Sequence, residues 1–247
     1  MILAINQPCF IPWFAYFDLI KNSQKLVFLD TVLSPKGSNS FIFRNRIYYR
    51  EKLRWVTFPI DLYNRKKFLN EIEYTNENKI ITLNKIVSYT SNDPYYNLVK
   101  KNILSCFEIE NSKLLIDLSK DIIKKIISLL GLKIEILNST DIIDFNYVIK
   151  KNISGGELVK LIVKELKPKK LYNFYNGVEK KIYPFGDYDF FNKQDCELYK
   201  QDIDKYLLNV NRNNILMQSA LSVISQKGTD FLLKNLNLEY SLMNKII

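Results

Sequence analysis

The stretch ILAINQPCFIPWFAYFDLIKNSQKLVFLD, residues 2–30, decides the fold class of this chain. Residues 2–6 form a short apolar run, residues 13–22 carry bulky apolar side chains at helical spacing, and residues 25–30 form a second apolar run. A strand, a short helix and another strand are the usual opening of a parallel α/β sheet. We therefore predict an α/β fold built on a mostly parallel sheet.

The rest of the chain continues this pattern. Alternating side chains predict an antiparallel hairpin over residues 41–60, with a turn at 50–52, and helical spacing predicts a helical middle segment over about 76–131. Further strands are predicted at 132–137, 170–174 and 195–200, helices at 158–166, 218–226 and 229–236, and a turn at Asn176 and Gly177. Because no repeat or linker divides the chain, we predict one domain over 1–247, with a helical subdomain at about 76–131 as the alternative.

The composition excludes several kinds of enzyme and site. The 247 residues include no histidine, which removes Ser-His-Asp and Cys-His catalysis and histidine-ligated zinc. Cys9, Cys106 and Cys196 are far apart and form no CxxC pair, so neither a disulfide framework nor a metal site is expected. The sequence also lacks a Gly-rich phosphate-binding loop, so nothing in it requires a nucleotide triphosphate.

The ends and apolar runs of the chain predict a cytoplasmic location. Residues 1–12 carry no basic segment ahead of an apolar run, which is not the pattern of a signal peptide. The longest Ile- and Leu-rich stretch, residues 114–137, is interrupted by charged side chains, so no membrane-spanning helix is expected.

The positive charge is concentrated in one part of the chain. The net charge is +10, and residues 36–67 alone contain nine basic and two acidic residues and five of the six arginines. Strand alternation predicts that Arg44, Arg46 and Arg50 share one face of the hairpin. Arginine binds phosphate with two parallel hydrogen bonds, so this row is a candidate site for the diphosphate of a nucleotide-linked sugar. The alternative is a solvated hairpin face that protects a sheet edge.

Three segments of the first 60 residues carry a family resemblance. The segments are NQPCFIPWFAYF at 6–17, Leu29-Asp30, and RNRI at 44–47, and together they resemble the WbqC-like family. Its members are typically encoded among genes for O-antigen, capsule or other surface-sugar synthesis. The resemblance implies tailoring of a nucleotide-activated sugar, with acyl or aminoacyl transfer to a sugar amine and a donor of unknown identity. The chain departs from the family pattern at Asn6, Ala15 and Ser225, where His, Gly and Asp are common.

Asp30 and Gln7 are the first candidates for chemistry and binding. Asp30 follows the second predicted strand and is the candidate general base in a chain without histidine, although capping of the next turn is equally consistent with its position. Gln7 begins the loop after the first strand, where open α/β sheets bind ligands. Asp18, on the helix that follows, is expected to face solvent.

The other candidate residues are weaker. Asn45 lies in the family motif, yet strand alternation places it on the apolar face; a bulge, or a hydrogen bond from its amide to the loop backbone, would reconcile the two. Cys9 is a minor candidate for a nucleophile. The remaining candidates for substrate binding come from the loop helix and the C-terminal part: Tyr16, Tyr199, Gln201 and Ser222.

We weigh three functions from these observations. The first is a cytoplasmic transferase whose ligand is a nucleotide-sugar or another phosphorylated small molecule. The second is nucleic-acid binding by the basic hairpin, against which the aromatic side chains other than Tyr48 are expected on the face opposite the arginines. The third is a non-catalytic assembly factor of a glycan-synthesis complex.

Overall fold

The computed structural model describes residues 1–35, 40–61, 63, 67–108, 112–173, 188–201, 217–237 and 240–242. The turn predicted at Asn176 and Gly177 lies outside these residues. The strands are β1 (Ile2–Asn6), β2 (Lys25–Phe28), β3 (Arg44–Tyr49), β4 (Lys52–Thr57), β5 (Glu135–Asn138), β6 (Lys170–Asn173), β7 (Glu197–Gln201) and β8 (Tyr240–Leu242). The helices are α1 (Phe14–Lys21), α2 (Asn76–Thr90), α3 (Tyr96–Asn102), α4 (Leu115–Leu129), α5 (Phe145–Lys150), α6 (Gly155–Leu166), α7 (Tyr188–Lys193), α8 (Ala220–Lys227) and α9 (Thr229–Asn235).

The main sheet has the strand order β5-β2-β1-β6-β7-β8. The first five strands of this order are parallel, and β8 runs antiparallel beside β7. The α/β fold with a mostly parallel sheet is therefore confirmed. Strands up to β5 are added on one side of β1 and strands from β6 onward on its other side, so the direction of strand addition reverses between β1 and β6. Open α/β sheets bind ligands at the carboxyl ends of the strands at such a reversal.

Apolar residues of β1, β2 and α1 form the centre of the core. Leu3, Ala4 and Ile5 of β1 are buried, and every residue of α1 from Phe14 to Ile20 is buried as well. The loop of residues 7–13 joins β1 to α1 and therefore starts at the carboxyl end of β1. This position brings the loop beside the strand reversal and makes it the first place to look for a site.

The middle of the chain is helical, as the sequence predicts. Helix α4 turns a regular apolar stripe towards the core, with Leu118, Ile122 and Ile126 all buried. Gly131, with a φ of 62°, follows the helix and takes the left-handed conformation typical of helix ends. Within the described residues no helix has the length and apolarity needed to cross a membrane.

A separate two-stranded hairpin, β3 and β4, packs against α2 and α8. Its register runs without interruption from the pair Arg44 and Thr57 to the pair Tyr49 and Lys52. Arg50 and Glu51 form the turn with φ values of 49° and 61°, which is the left-handed geometry of a two-residue hairpin turn. The predicted hairpin is therefore confirmed, but its turn has two residues and not the three predicted at 50–52, because Lys52 already pairs with Tyr49.

Candidate anion-binding site

The edge of β3 that does not pair with β4 is covered by Ser219 and α8. The Ser219 N–H donates to the Arg46 carbonyl at 2.8 Å, the Tyr48 N–H donates to Ser222 Oγ at 3.0 Å, and Gln226 Nε2 donates to the Tyr48 carbonyl at 3.0 Å. These bonds satisfy backbone groups that an unpaired strand edge would leave open. Ser222, a predicted substrate-binding residue, is fully buried and holds the hairpin in place.

Asn45 fixes the loop of residues 7–13 from the inner face of the hairpin. Its Nδ2 donates to the Ile11 carbonyl at 2.9 Å, and its Oδ1 accepts from the Arg46 N–H at 2.8 Å. The uninterrupted strand register excludes a bulge at this position. The hydrogen bond to the loop backbone therefore explains how Asn45 can lie on the apolar face, and Ile11 is held at a φ of 39°, which is uncommon for a β-branched residue.

Arg44 and Arg46 lie on the outer face of the hairpin around one tryptophan. The guanidinium carbons of Arg44 and Arg46 are 4.0 Å and 5.2 Å from the centre of the Trp55 ring. The Nε of each arginine is buried and has no hydrogen-bond partner among the described residues. In the part of the chain that the structure describes, neither guanidinium forms an ion pair. We call Arg44 and Arg46, which both contact Trp55, the arginine pair.

The environment of Arg46 is unfavourable for its charge. Burial lowers the pKa of the Arg46 guanidinium, and the positive charge of Arg44 lowers it further. Arginine remains protonated at neutral pH even so, which leaves two like charges, partly removed from water, side by side. An anion bound between them would relieve the repulsion and provide the missing hydrogen-bond acceptors.

Exposed aromatic rings continue from Trp55 along the same surface. Phe41 lies 5.9 Å from Trp55, and Trp13 stacks on Phe41 at 6.4 Å between ring centres. Trp55 and Phe41 are 36% and 37% exposed. The expectation that aromatic rings and arginines occupy opposite faces is therefore wrong for Trp55, because Trp55 is the cross-strand partner of Arg46 and such partners share a face.

Arg50 does not belong to the arginine pair. Its guanidinium lies over the Tyr49 ring at 5.1 Å, and Tyr49 stacks on Tyr89 of α2. The positive φ at Arg50 ends the strand alternation that would have placed its side chain with Arg44 and Arg46. The prediction of three arginines in one row is corrected to two.

The loop of residues 7–13 presents Gln7 and covers Tyr16. Gln7 is half-buried, and no described residue forms a hydrogen bond with its side-chain amide. Tyr16 is fully buried, and its hydroxyl donates to the Gln7 carbonyl at 3.2 Å. Burial raises the pKa of the Tyr16 hydroxyl well above its ordinary value. Tyr16 therefore supports the loop from below, while Gln7 keeps an available amide.

The three cysteines are in environments that disfavour the thiolate. Burial raises the pKa of the Cys9 thiol to about 12 and those of Cys106 and Cys196 to about 11. The reactive form of cysteine is the thiolate. The structure therefore gives no support to Cys9 as a nucleophile.

Asp30 lies in a buried network at the ends of β2 and β5. Its carboxylate accepts a hydrogen bond from Ser139 Oγ at 2.5 Å and forms an ion pair with Lys120 Nζ at 2.7 Å. Asp30 is 2% exposed, so a substrate could reach its carboxylate only after the surrounding segments move. No local pattern links Asp30 to Lys120 or Ser139, which are about 90 and 110 residues away along the chain.

Gln201 and Tyr199 share one face of β7, as predicted, but have different surroundings. Gln201 is fully buried; its Nε2 donates to the Ala15 carbonyl at 2.8 Å and to Asp18 Oδ2 at 3.2 Å, and its Oε1 has no hydrogen-bond partner. Tyr199 is half-buried, and its hydroxyl donates to Glu197 at 3.0 Å. Neither side chain contacts the arginine pair through a described hydrogen bond or ring contact.

Asp18 is fully buried, and the expectation that it faces solvent is wrong. The hydroxyl of Tyr240 donates to its carboxylate at 2.7 Å. Burial, followed by the charge of Asp18, raises the pKa of Tyr240. The carboxylate thus joins α1 to β8, a contact between residues 222 positions apart.

The comparisons with known proteins place this site within a family. The model of the WbqC-like protein family matches residues 7–225, which include the loop of residues 7–13, the hairpin and the start of α8. A search of curated proteins found no significant match. The family match covers most of the 247 residues and confirms the resemblance carried by the first 60 residues. The chain belongs to the WbqC-like protein family.

Proposed function

We propose that the protein is a cytoplasmic transferase that modifies a nucleotide-activated sugar for surface-polysaccharide synthesis; where that sugar is an amino sugar, the reaction is acyl or aminoacyl transfer to its amine. Membership of the WbqC-like family supports a role in a polysaccharide gene cluster. The observation that carries the proposal is the arginine pair, whose two buried Nε atoms lack partners beside an exposed Trp55.

The geometry of the pair suits neighbouring phosphates. Alternate residues of a strand are about 6.5 Å apart, so Arg44 and Arg46 can each bind one group of a diphosphate. Stacking on Trp55 restricts both side chains before the ligand arrives, which reduces the entropy lost on binding. Partial burial also strengthens their attraction to an anion relative to that of a fully solvated lysine.

The remaining candidates are assigned roles by their contacts. Gln7 has a free amide at the carboxyl end of β1 and would bind the sugar or the acyl donor. Asn45 supports that loop through Ile11, and Ser222 supports the hairpin, so both position the site. Gln201 would contribute the free Oε1 acceptor, with Tyr199 further along the same strand face. Arg50 would contact only a ligand long enough to reach the hairpin turn.

Asp30 is retained as the proposed general base. Its carboxylate, which is paired with Lys120, would accept the proton of the attacking amine or hydroxyl. Asp30→Asn and Lys120→Met separate the roles, because both variants break the ion pair but only the first removes the carboxylate. Loss of turnover in Asp30→Asn alone would support a base, whereas equal loss of turnover in both variants would indicate a structural role.

A ligand screen tests the proposed function. Melting temperatures are measured with UDP-N-acetylglucosamine, GDP-mannose and dTDP-glucose, each against its free nucleoside diphosphate. A ligand that binds only the native state raises the melting temperature, so we expect stabilisation by one nucleotide-sugar above that by its diphosphate. If none of these ligands stabilises the protein, the proposed function is wrong.

Nucleic-acid binding is the second candidate, because Trp55 and Phe41 are exposed beside the arginine pair. Aromatic rings next to arginines are the usual platform for single-stranded nucleic acid. A fluorescence titration with a single-stranded oligonucleotide at increasing salt tests it. Micromolar binding that weakens steeply with salt would favour this function, and no binding at 50 mM salt would exclude it.

A further inference from the structure

Gln218 is a buried side chain with one half of its amide unused. It is 1% exposed and precedes Ser219, whose N–H donates to the Arg46 carbonyl. Its Oε1 accepts from Ser222 Oγ at 2.5 Å, while its Nε2 is buried and has no hydrogen-bond partner in the part of the chain that the structure describes. An unsatisfied buried amide donor destabilises the folded protein, so its retention beside the arginine pair calls for an explanation.

The hydrogen bonds around Ser222 determine which way the Gln218 amide points. Ser222 Oγ accepts from the Tyr48 N–H at 3.0 Å and from Gln226 Nε2 at 3.4 Å. Its single proton is therefore available for Gln218, and only the amide oxygen of Gln218 can accept it. The amide NH₂, with two donors, is consequently the end that has no partner.

We propose that Gln218 Nε2 is a third donor of the ligand site and binds a neutral acceptor oxygen, a hydroxyl or carbonyl, of the sugar part of the nucleotide-sugar. This inference rests on the proposed function. Gln218 belongs to the segment that pairs with Trp13 and β3, since Ser219 forms a bridge with Trp13 and binds Arg46. The donor therefore lies on a segment that borders both the aromatic rings and the arginine pair.

Burial distinguishes the ligand group at Gln218 from the group at the arginines. Arg44 and Arg46 are half-buried cations, which suit a charged phosphate that keeps part of its hydration. Gln218 is uncharged and 1% exposed, so a ligand can reach its amide, like the Asp30 carboxylate, only after the surrounding residues move. A charged group would lose most of its hydration there without a compensating opposite charge. A hydroxyl or carbonyl oxygen loses much less and satisfies the free N–H.

The test measures how Gln218 affects the preference for a nucleotide-sugar over its free diphosphate. Calorimetric titrations use the full chain with UDP-N-acetylglucosamine, GDP-mannose and dTDP-glucose, each paired with UDP, GDP or dTDP. The variant Gln218→Glu keeps the acceptor for Ser222 and replaces the NH₂ by an oxygen; Gln218→Met removes the donor without adding charge. We expect the affinity ratio of nucleotide-sugar to diphosphate to fall about tenfold in both variants.

Gln24→Glu is the matched control. Gln24 also accepts a hydrogen bond through its Oε1, from the Ile2 N–H, but it is exposed and lies at the amino end of β1. For Gln24→Glu, the affinity ratio of nucleotide-sugar to diphosphate should equal that of the wild type. If the wild type prefers a nucleotide-sugar and both Gln218 variants keep that preference, the role of Gln218 is wrong and the proposed function stands. If the wild type binds none of the nucleotide-sugars, both are wrong.

Discussion

The charged residues of this protein differ in whether their charge is paired: the carboxylate of Asp30 has partners, and the guanidinium groups of Arg44 and Arg46 do not form ion pairs among the described residues. Asp30 is neutralised by Lys120 and bonded by Ser139, whereas neither arginine forms an ion pair among the described residues. A buried charge that is fully paired holds elements of the fold together. A partly buried charge without a partner raises the energy of the free protein, and a ligand of opposite charge can recover that energy on binding.

Replacement of Asp30 should destabilise the protein. Asp30→Ala leaves the Lys120 ammonium buried without its partner, so the free energy of unfolding should fall by about 3–5 kcal/mol. Urea denaturation measures this loss. Replacing both partners, Asp30→Leu with Lys120→Met, should cost less than Asp30→Ala alone, because no unpaired charge remains. An unchanged urea midpoint in Asp30→Ala would show that the ion pair has no structural role.

For individual residues, the sequence predicted the face on which a side chain lies wherever the local strand period determines that face. Strand alternation placed Asn45 on the apolar face, and the bond from its amide to the loop backbone was one of the two explanations offered for it. Periodicity could not reveal that Asp18 is buried, because its partners Gln201 and Tyr240 are 183 and 222 residues away. The free amide of Gln218 could not be predicted either, since it depends on how α8 packs against β3.

Among the elements, the hairpin combines good strand sequences with an unfavourable turn. Arg50 and Glu51 both have positive φ, a conformation that costs non-glycine residues about 1 kcal/mol each. Glu51→Gly should therefore raise the free energy of unfolding by about 1 kcal/mol, measured by thermal or urea denaturation. Glu51→Ala is the control, because alanine keeps the penalty. Equal stability of the glycine and alanine variants would contradict the turn geometry.

Most elements were predictable, while their packing was not. The opening strand, helix and strand, the hairpin and the helical middle segment all follow from local pattern, and the strand at 25–30 differs only in ending at Phe28. It ends there because the Asp30 N–H bonds to the Phe28 carbonyl and to Ser139 instead of continuing the ladder. The docking of α8 on β3 joins residues about 170 positions apart, which no local pattern encodes.

The cross-strand partner of Trp55 could have been predicted from the sequence. Given a two-residue turn at Arg50 and Glu51, each pair of partners is fixed, and Arg46 falls opposite Trp55. A three-residue turn moves the register by one position and turns Trp55 to the other face. The error about the aromatic face therefore came from the length of the turn.

In the whole molecule, several weak acids have raised pKa values, and stability should fall at alkaline pH. Burial raises the pKa of Cys9 to about 12 and of Cys106 and Cys196 to about 11, and also raises the pKa of Tyr16 and Tyr240. Above about pH 9 the unfolded chain releases protons that the native protein retains, so the free energy of unfolding decreases as pH rises. Urea denaturation at pH 8, 9.5 and 10.5 should give falling midpoints. A constant or rising midpoint would contradict the burial of these groups.

The net charge of +10 is concentrated in one region of the molecule. Residues 36–67 carry most of it, and within that region the charges of Arg44 and Arg46 lie partly withdrawn from water around Trp55. Charge held in this way supports recognition of a compact anion at one point. A longer polyanion would be bound by charge spread over a surface.

Calorimetric titration of two arginine variants tests the anion site most directly. The titrant is the nucleotide-sugar that stabilises the wild type in the ligand screen, and the variants are Arg44→Gln and Arg46→Gln. Arg54→Gln, an exposed arginine of the same hairpin, is the matched control for the lost charge. We predict that affinity falls about tenfold to a hundredfold in each of the first two variants and stays within about twofold in the control. Equal affinity in all three variants would contradict the assignment of the arginine pair as the ligand site.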